Sequence, residues 1–289
     1  MKTGIGWSPE NIKDIDNAER SLTEIKSLGY DCVDLQSFCN TGDVFFNGSI
    51  ADMEKLLLRI RSAADNAGIT ISQTHGPWRW PPRDGTKEER DERFEKMTRS
   101  LEGTAMAVCT DMVIHPIMPF GDNSNPDPDR FMEMNLEFFT RLTAKARSFG
   151  VTIDFENMPM PVLTLATPHQ ILEFAKKIDS PFFRVCLDTG HCTMNHVDPA
   201  YAVREIGKQY LRVLHVHDNN GVSDLHWLPE TGVIDWKAFS RALQEIGYDG
   251  VFSLETNVKR ENLSDDEFLQ KKLELSAVAR RLANPATSE

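Results

Sequence analysis

Long apolar runs are what this chain lacks first: no stretch approaches the roughly 18 consecutive apolar residues a membrane-spanning helix needs. Its start, Met1 through Ile5, shows no basic segment leading into an apolar one, so no secretory signal is expected there and a cytoplasmic protein is. Cysteine is sparse and unpaired in spacing. Cys32, Cys39, Cys109, Cys186 and Cys192 make an odd number, which argues against a disulfide framework and against a thiolate zinc knuckle. Basic residues are outnumbered, 32 Lys and Arg against 44 Asp and Glu, for a formal charge of -12. That balance disfavours non-specific attraction to nucleic acid or to anionic membranes and points to a small-molecule partner. Internal repeats, low-complexity tracts and interdomain linkers are missing as well.

What is present is alternation. Short apolar runs are separated by longer amphipathic ones from end to end, the signature of repeated βα units on a parallel sheet. Eight strands are expected, at Thr3–Trp7, Cys32–Gln36, Ile69–His75, Met112–His115, Thr152–Glu156, Phe183–Asp188, Arg212–His217 and Val251–Glu255. Helical spacing shows between them, as in Met53, Leu56, Leu57 and Ile60. Gly29, Gly68, Gly150 and Gly247 stand where helices should stop, and Thr167 with Pro168 where one should start. Eight units in 289 residues average about 36 each, a usual size for an α/β (β/α)8 TIM barrel. The expectation is one such domain over 1–289, with a frayed tail from about 283.

Six acidic or histidine residues fall at the ends of successive expected strands: His75, His115, Glu156, Asp188, His215 and Glu255. A parallel barrel gathers those ends into one mouth, where active sites of this fold are built. Alternation within a strand sets Asp154 and Glu156 opposite Ile153 and Phe155, and Val213 and His215 opposite Arg212 and Leu214. Carboxylates converging in a barrel are costly without a positive partner, and a divalent cation is the simplest one. A mixed oxygen and nitrogen set without sulfur suits Mn2+, Mg2+ or Co2+ and also accepts Zn2+. Periodicity alone does not choose between His215 and His217, which share a face. Two long connections after strands, Gly76–Thr86 and Asn219–Val233, are candidate pocket walls. The first carries Trp78 and Trp80, which with Trp7 are candidates to stack on a sugar ring, and Arg79 and Arg83, which could meet a phosphate.

These segments resemble the xylose isomerase-like TIM barrels, the superfamily joining sugar isomerases and epimerases with the apurinic endonucleases. The resemblance rests on Thr74-His75-Gly76-Pro77, Ile114-His115-Pro116, Phe155-Glu156-Asn157, Leu187-Asp188-Thr189-Gly190-His191, His215-Val216-His217-Asp218, Asp224-Leu225-His226, Gly232-Val233-Ile234-Asp235-Trp236 and Gly247-Tyr248-Asp249-Gly250. It implies a metal-dependent sugar or sugar phosphate isomerase or epimerase, acting by proton transfer next to a carbonyl through a metal-stabilised enediolate. It assigns one divalent ion, Mn2+ by expectation, to Glu156, Asp188, His215 and Glu255, the family's H-x-x-D pattern favouring His215 over His217. Glu156 and Glu255 become the acid/base pair, and His75, His115, His191, His217, Asp224 and His226 the substrate contacts, to which Trp78 is added as an aromatic of the loop after His75 rather than by the resemblance. Relatives suggest a homodimer or homotetramer.

Three rival readings come with the resemblance. Residues matching all nine ligands of a trinuclear zinc endonuclease occur: His75, His115, Glu156, Asp188, His191, His215, Asp224, His226 and Glu255. No long Lys/Arg-rich loop accompanies them, and the Trp- and Pro-rich loop after His75 looks like a lid for a small ligand. A dehydratase acting on a keto-sugar or keto-inositol would use the same apparatus. A sugar-binding barrel without chemistry is the third, although such proteins usually lose one of the two glutamates. Leu228-Pro229-Glu230-Thr231-Gly232 departs from the family's Pro-Gly-x-Gly, and the apolar segment and basic tail that a sorting signal needs do not follow it. His169 and His196 read as ordinary structure.

Overall fold

A computed structural model describes residues 1–9, 11–42, 44–79 and 81–285. Eight parallel strands run in the order β7-β6-β5-β4-β3-β2-β1-β8. They are β1 (Lys2–Trp7), β2 (Cys32–Leu35), β3 (Thr70–His75), β4 (Asp111–Ile114), β5 (Thr152–Glu156), β6 (Phe183–Asp188), β7 (Leu211–His215) and β8 (Val251–Leu254). The cylinder closes between β7 and β8, where the Val216 amide donates to the Ser253 carbonyl at 2.9 Å and the Glu255 amide to the Val216 carbonyl at 3.0 Å. All eight expected strands exist, with ends differing by one or two residues.

The helices begin and end for local reasons. Ser49, Thr86, Thr167 and Ser264 each close a capping box, and Pro168 occupies the first turn behind Thr167. Gly68 and Gly150 end their helices in the left-handed conformation, which costs a residue without Cβ little. Helices and strands bury one apolar layer between them. In β5, Ile153 and Phe155 face outward into it, and Phe155 lies 4.8 Å from the Phe139 ring and 5.0 Å from the Phe174 ring. Asp154 and Glu156, on the other face of the same strand, point into the barrel.

Inside the barrel the filling is unusual. Such interiors are normally packed with branched aliphatics. Here Val113, Cys186 and Val213 form a small apolar cluster. Asp34, Gln73 and Asp154 are buried beside it. Neither carboxylate oxygen of Asp154 has a hydrogen-bond partner, and burial, with Asp111 nearby, pushes its pKa well above the usual carboxylate range.

The expected frayed tail is partly described. The last helix ends at Ala283, and Asn284 donates to the Met1 carbonyl at 3.0 Å; 286–289 lie outside the described residues. No helix among the described residues is long and apolar enough to cross a membrane.

Candidate metal centre at the barrel mouth

Strand ends deliver the site. His75, Glu156, Asp188 and His215 are the last residues of β3, β5, β6 and β7, and His115 and Glu255 follow β4 and β8 directly. One donor atom from each of Glu156, Asp188, His215 and Glu255 lies within 4.8 Å of the other three. His215 Nδ1 sits 2.9 Å from Glu156 Oε1 and 3.2 Å from Glu255 Oε2, so one ring nitrogen faces two carboxylates. Asp188 also caps the short helix Thr189–Met194, accepting the His191 amide at 2.6 Å.

Electrostatics fit a cation. Burial would raise Glu156, but His215 and His115 outweigh it and hold the carboxyl well below its ordinary value. Burial would depress His215, yet the Glu255 and Glu156 carboxylates keep it well above. The carboxylates thus favour a proton on the His215 imidazole, whereas burial disfavours one on His115. Glu156, Asp188, His215 and Glu255 are the groups that could hold a divalent cation, which would take the place of that proton, and their buried oxygen and nitrogen donors fit such an ion.

Four histidines are oriented by their own backbone surroundings. The Nδ1 of His75, His191, His217 and His226 lies 2.8, 2.8, 3.3 and 2.6 Å from the carbonyls of Gly76, Asn157, Asp218 and Glu255, to which it donates. Each Nε2 is thereby turned towards the mouth. Those of His191 and His226 stand 3.4 and 3.3 Å from Asp224, and that of His217 stands 3.0 Å from Asp188. Burial opposes protonation of His191, but Asp188 and Asp224 bring its pKa up to about 10; Asp224 and Glu255 bring His226 up to about 9.

Further donor groups abut the first: His75 with Glu156 and His215, Asp188 with His191 and His217, and His217 with Asp224 and His226.

Above the ring is a cavity of about 410 Å3. Its lining combines Cys39, Trp78, Met158, Pro159 and Met160 with acidic and histidine residues of the ring. Asp188, His215 and His217 are wholly buried beneath its floor, so His217, expected at the substrate, does not line the cavity. Gly190 makes room for that ring, because a Cβ there would stand 2.0 Å from His217 Cε1. Trp78 meets the His115 ring edge-on at 4.5 Å. Trp7 packs against a core cluster below, and Trp80 lies outside the described residues. Arg79 is turned to Glu92 and the Arg83 carbonyl, and neither arginine lines the cavity.

Cys39, Met158 and Met160 carried no sequence signal that singled them out, and the quoted motifs gave Asp218 and Gly232 no role of their own. Cys39 and the two methionines reach the wall from irregular segments. Asp218 organises the loop after β7, accepting the Gly232 amide at 3.0 Å, the Ile234 amide at 3.3 Å and Trp236 Nε1 at 2.8 Å. A Cβ on Gly232 would lie 2.1 Å from the Asn219 carbonyl, so that position needs glycine. Glu230, which stands where the family favours glycine, takes a left-handed φ of 71° and pairs with Arg281.

Comparison with known proteins agrees with this fold. A solved D-psicose 3-epimerase from Clostridium cellulolyticum H10, with D-tagatose, superposes with a TM-score of 0.76 at 18% identity, over 98% of this chain and all of that one. The 3-keto-D-glucoside 4-epimerase of E. coli gives 0.72 at 17%, over 96% and 99%. In sequence, an uncharacterised protein of Methanocaldococcus jannaschii is 31% identical over 196 residues, 64% of this chain and 65% of that protein's length. The family described as xylose isomerase-like TIM barrel matches residues 22–275, and the chain belongs to it.

Proposed function

We propose that this chain is a metal-dependent epimerase or isomerase of non-phosphorylated keto-sugars. Glu156 and Glu255 exchange the proton on the carbon next to the carbonyl, and Glu156, Asp188, His215 and Glu255 hold one divalent ion. The observation that carries the proposal is the convergence of two carboxylates from β5 and β8 on a single histidine nitrogen, at the floor of a sugar-sized cavity. When bound, the ion supplies Lewis acidity to the oxygens of an α-hydroxy carbonyl.

The residues do the rest. Both glutamates are held ionised, so either can accept a proton while the other, once protonated, returns one. Delivery from the opposite face inverts the centre, and return to the neighbouring carbon isomerises it. His191 and His226, oriented through Nδ1, present Nε2 to hydroxyls. Trp78, Met158 and Met160 offer an apolar wall to the C–H face of a sugar.

The lack of phosphate in the proposed substrate rests on the lining. Among the described residues around the cavity there is no Lys or Arg, and a buried phosphate without one is poorly compensated. The names of the two superposed epimerases likewise describe inversion at a carbon beside a carbonyl.

Incubating the enzyme and Mn2+ in D2O with neutral ketoses and with their phosphates, then reading NMR after ion removal, tests this. One solvent deuterium should enter a neutral ketose, at one carbon beside the carbonyl. Glu156→Gln and Glu255→Gln should each slow that exchange by about 10²- to 10⁴-fold with the circular dichroism unchanged. Exchange surviving in either variant, or confined to phosphates, contradicts the assignment.

The three-ion phosphodiesterase reading has its own observation, the donor groups abutting the first. Against it stand the charge of -12 and the cation-free lining. Three Zn2+ per chain with cleavage of abasic DNA would favour it.

A further inference from the structure

Of the histidines around the mouth, His215 is oriented in reverse. Its Nδ1 faces the carboxylates of Glu156 and Glu255, whereas His75, His191, His217 and His226 turn Nδ1 away to a backbone carbonyl. Something must fix which nitrogen of His215 keeps its proton when an ion takes the other. No carbonyl does so: Nε2 has no aligned hydrogen-bond acceptor. It lies 3.2 Å from Asp34 Oδ2, off the axis of the ring N–H.

Asp34 is two residues into the short strand β2, whose four residues are all buried. Among the described residues His215 is the one basic group within ion-pairing distance of it. Gln73 Nε2 donates to the same oxygen at 3.3 Å and Gln36 Nε2 at 3.5 Å. Gly6 leaves space for the Gln36 amide, since a Cβ there would stand 2.9 Å from its Oε1. The other oxygen, Oδ1, is buried with no partner. Two glutamines thus hold one carboxylate oxygen against the back of the metal-facing imidazole. A buried carboxylate is costly unless a donor or a positive group compensates it.

We infer that Asp34 is the positioning residue for His215: it retains the proton on Nε2 and leaves the Nδ1 lone pair for a divalent ion. A carboxylate behind a ligating imidazole fixes the tautomer and ring orientation and raises ligand basicity. Asp34 lies below the cavity and touches no substrate. The inference rests on the metal site proposed above.

The test is Zn2+ binding to metal-stripped protein by calorimetry, for wild type, Asp34→Asn and Asp34→Ala, with proton NMR of the Zn2+-loaded forms. Both substitutions should weaken Zn2+ binding about 10- to 100-fold. Wild type should show a slowly exchanging ring N–H signal from His215, moved upfield in Asp34→Asn and lost in Asp34→Ala. A merely structural Asp34 would change the unfolding temperature of the stripped protein without moving that signal. Asp34→Asn keeps the side-chain shape and decides the matter if Asp34→Ala fails to fold. Asp34→Asn that binds Zn2+ within twofold of wild type, with the signal in place, overturns the inference and leaves the metal site standing. Wild type that binds no Zn2+ overturns both.

Discussion

Protons on the histidines and a metal ion among the carboxylates would neutralise the same negative charge at the mouth, and this linkage sets the pH behaviour. His191 and His226 have folded values of about 10 and about 9 against an unfolded value near 6.5. A raised folded value means stability fully present below about 6.5 and lost as pH climbs through 9 to 10. The metal-free protein should accordingly lose thermal stability over that window. Ion binding expels protons, so the unfolding-temperature gap between Mn2+-saturated and metal-free protein should widen from pH 6.5 to 9. A gap that stays constant across this range would show that the histidines and the ion are not linked. Glu156, Asp188, His215 and Glu255 were legible because each ends a strand or directly follows one, a position that alternation and the barrel's geometry define; His191, in the short helix after β6, and His226, in the loop after β7, were legible only through the family resemblance. Asp34 was not, for it stands inside Cys32-Val33-Asp34-Leu35, where nothing in the spacing marks a carboxylate that meets a histidine 181 positions later.

Loops determine how firmly that ring is covered. The loop after β3, bearing Trp78, is tied to the end of β4 through a buried ion pair between Arg93 and Asp84. Arg93 Nη2 also donates to the carbonyls of His115 at 3.3 Å and Pro116 at 3.2 Å, and Asp84 accepts the Met118 amide at 2.8 Å. Removing one member of a buried pair strands the other, at about 3–5 kcal/mol. Arg93→Ala should cost that much in urea unfolding and raise KM by loosening the wall that holds Trp78 and His115. Arg93→Lys should recover only part, since an ammonium lacks the planar fork that spans several acceptors. A loss below about 1 kcal/mol would mean the loops are held elsewhere. The sequence exposed both long loops as pocket walls, through their length and position after strands. It did not expose what fastens them, because Arg93 sits within a helix among many charged residues and its partners are distant in the chain.

As a molecule, the protein is a barrel whose outer layer obeys the usual rule and whose interior does not. Phe139, Phe155, Phe174 and Phe183 pack between sheet and helices as strand alternation requires. That alternation is why the eight-stranded fold could be read before any coordinates. The interior places Asp34, Gln73 and Asp154 where aliphatic side chains usually sit, directly under the proposed metal. Polar groups there weaken packing, and their place beneath four converging acidic and imidazole groups is what a cation-centred site would demand. Crystals of the full chain soaked with Mn2+ and measured for anomalous scattering address this most directly. The account predicts one strong peak bounded by Glu156, Asp188, His215 and Glu255. A mouth with no peak, or peaks only at other carboxylates, would contradict it.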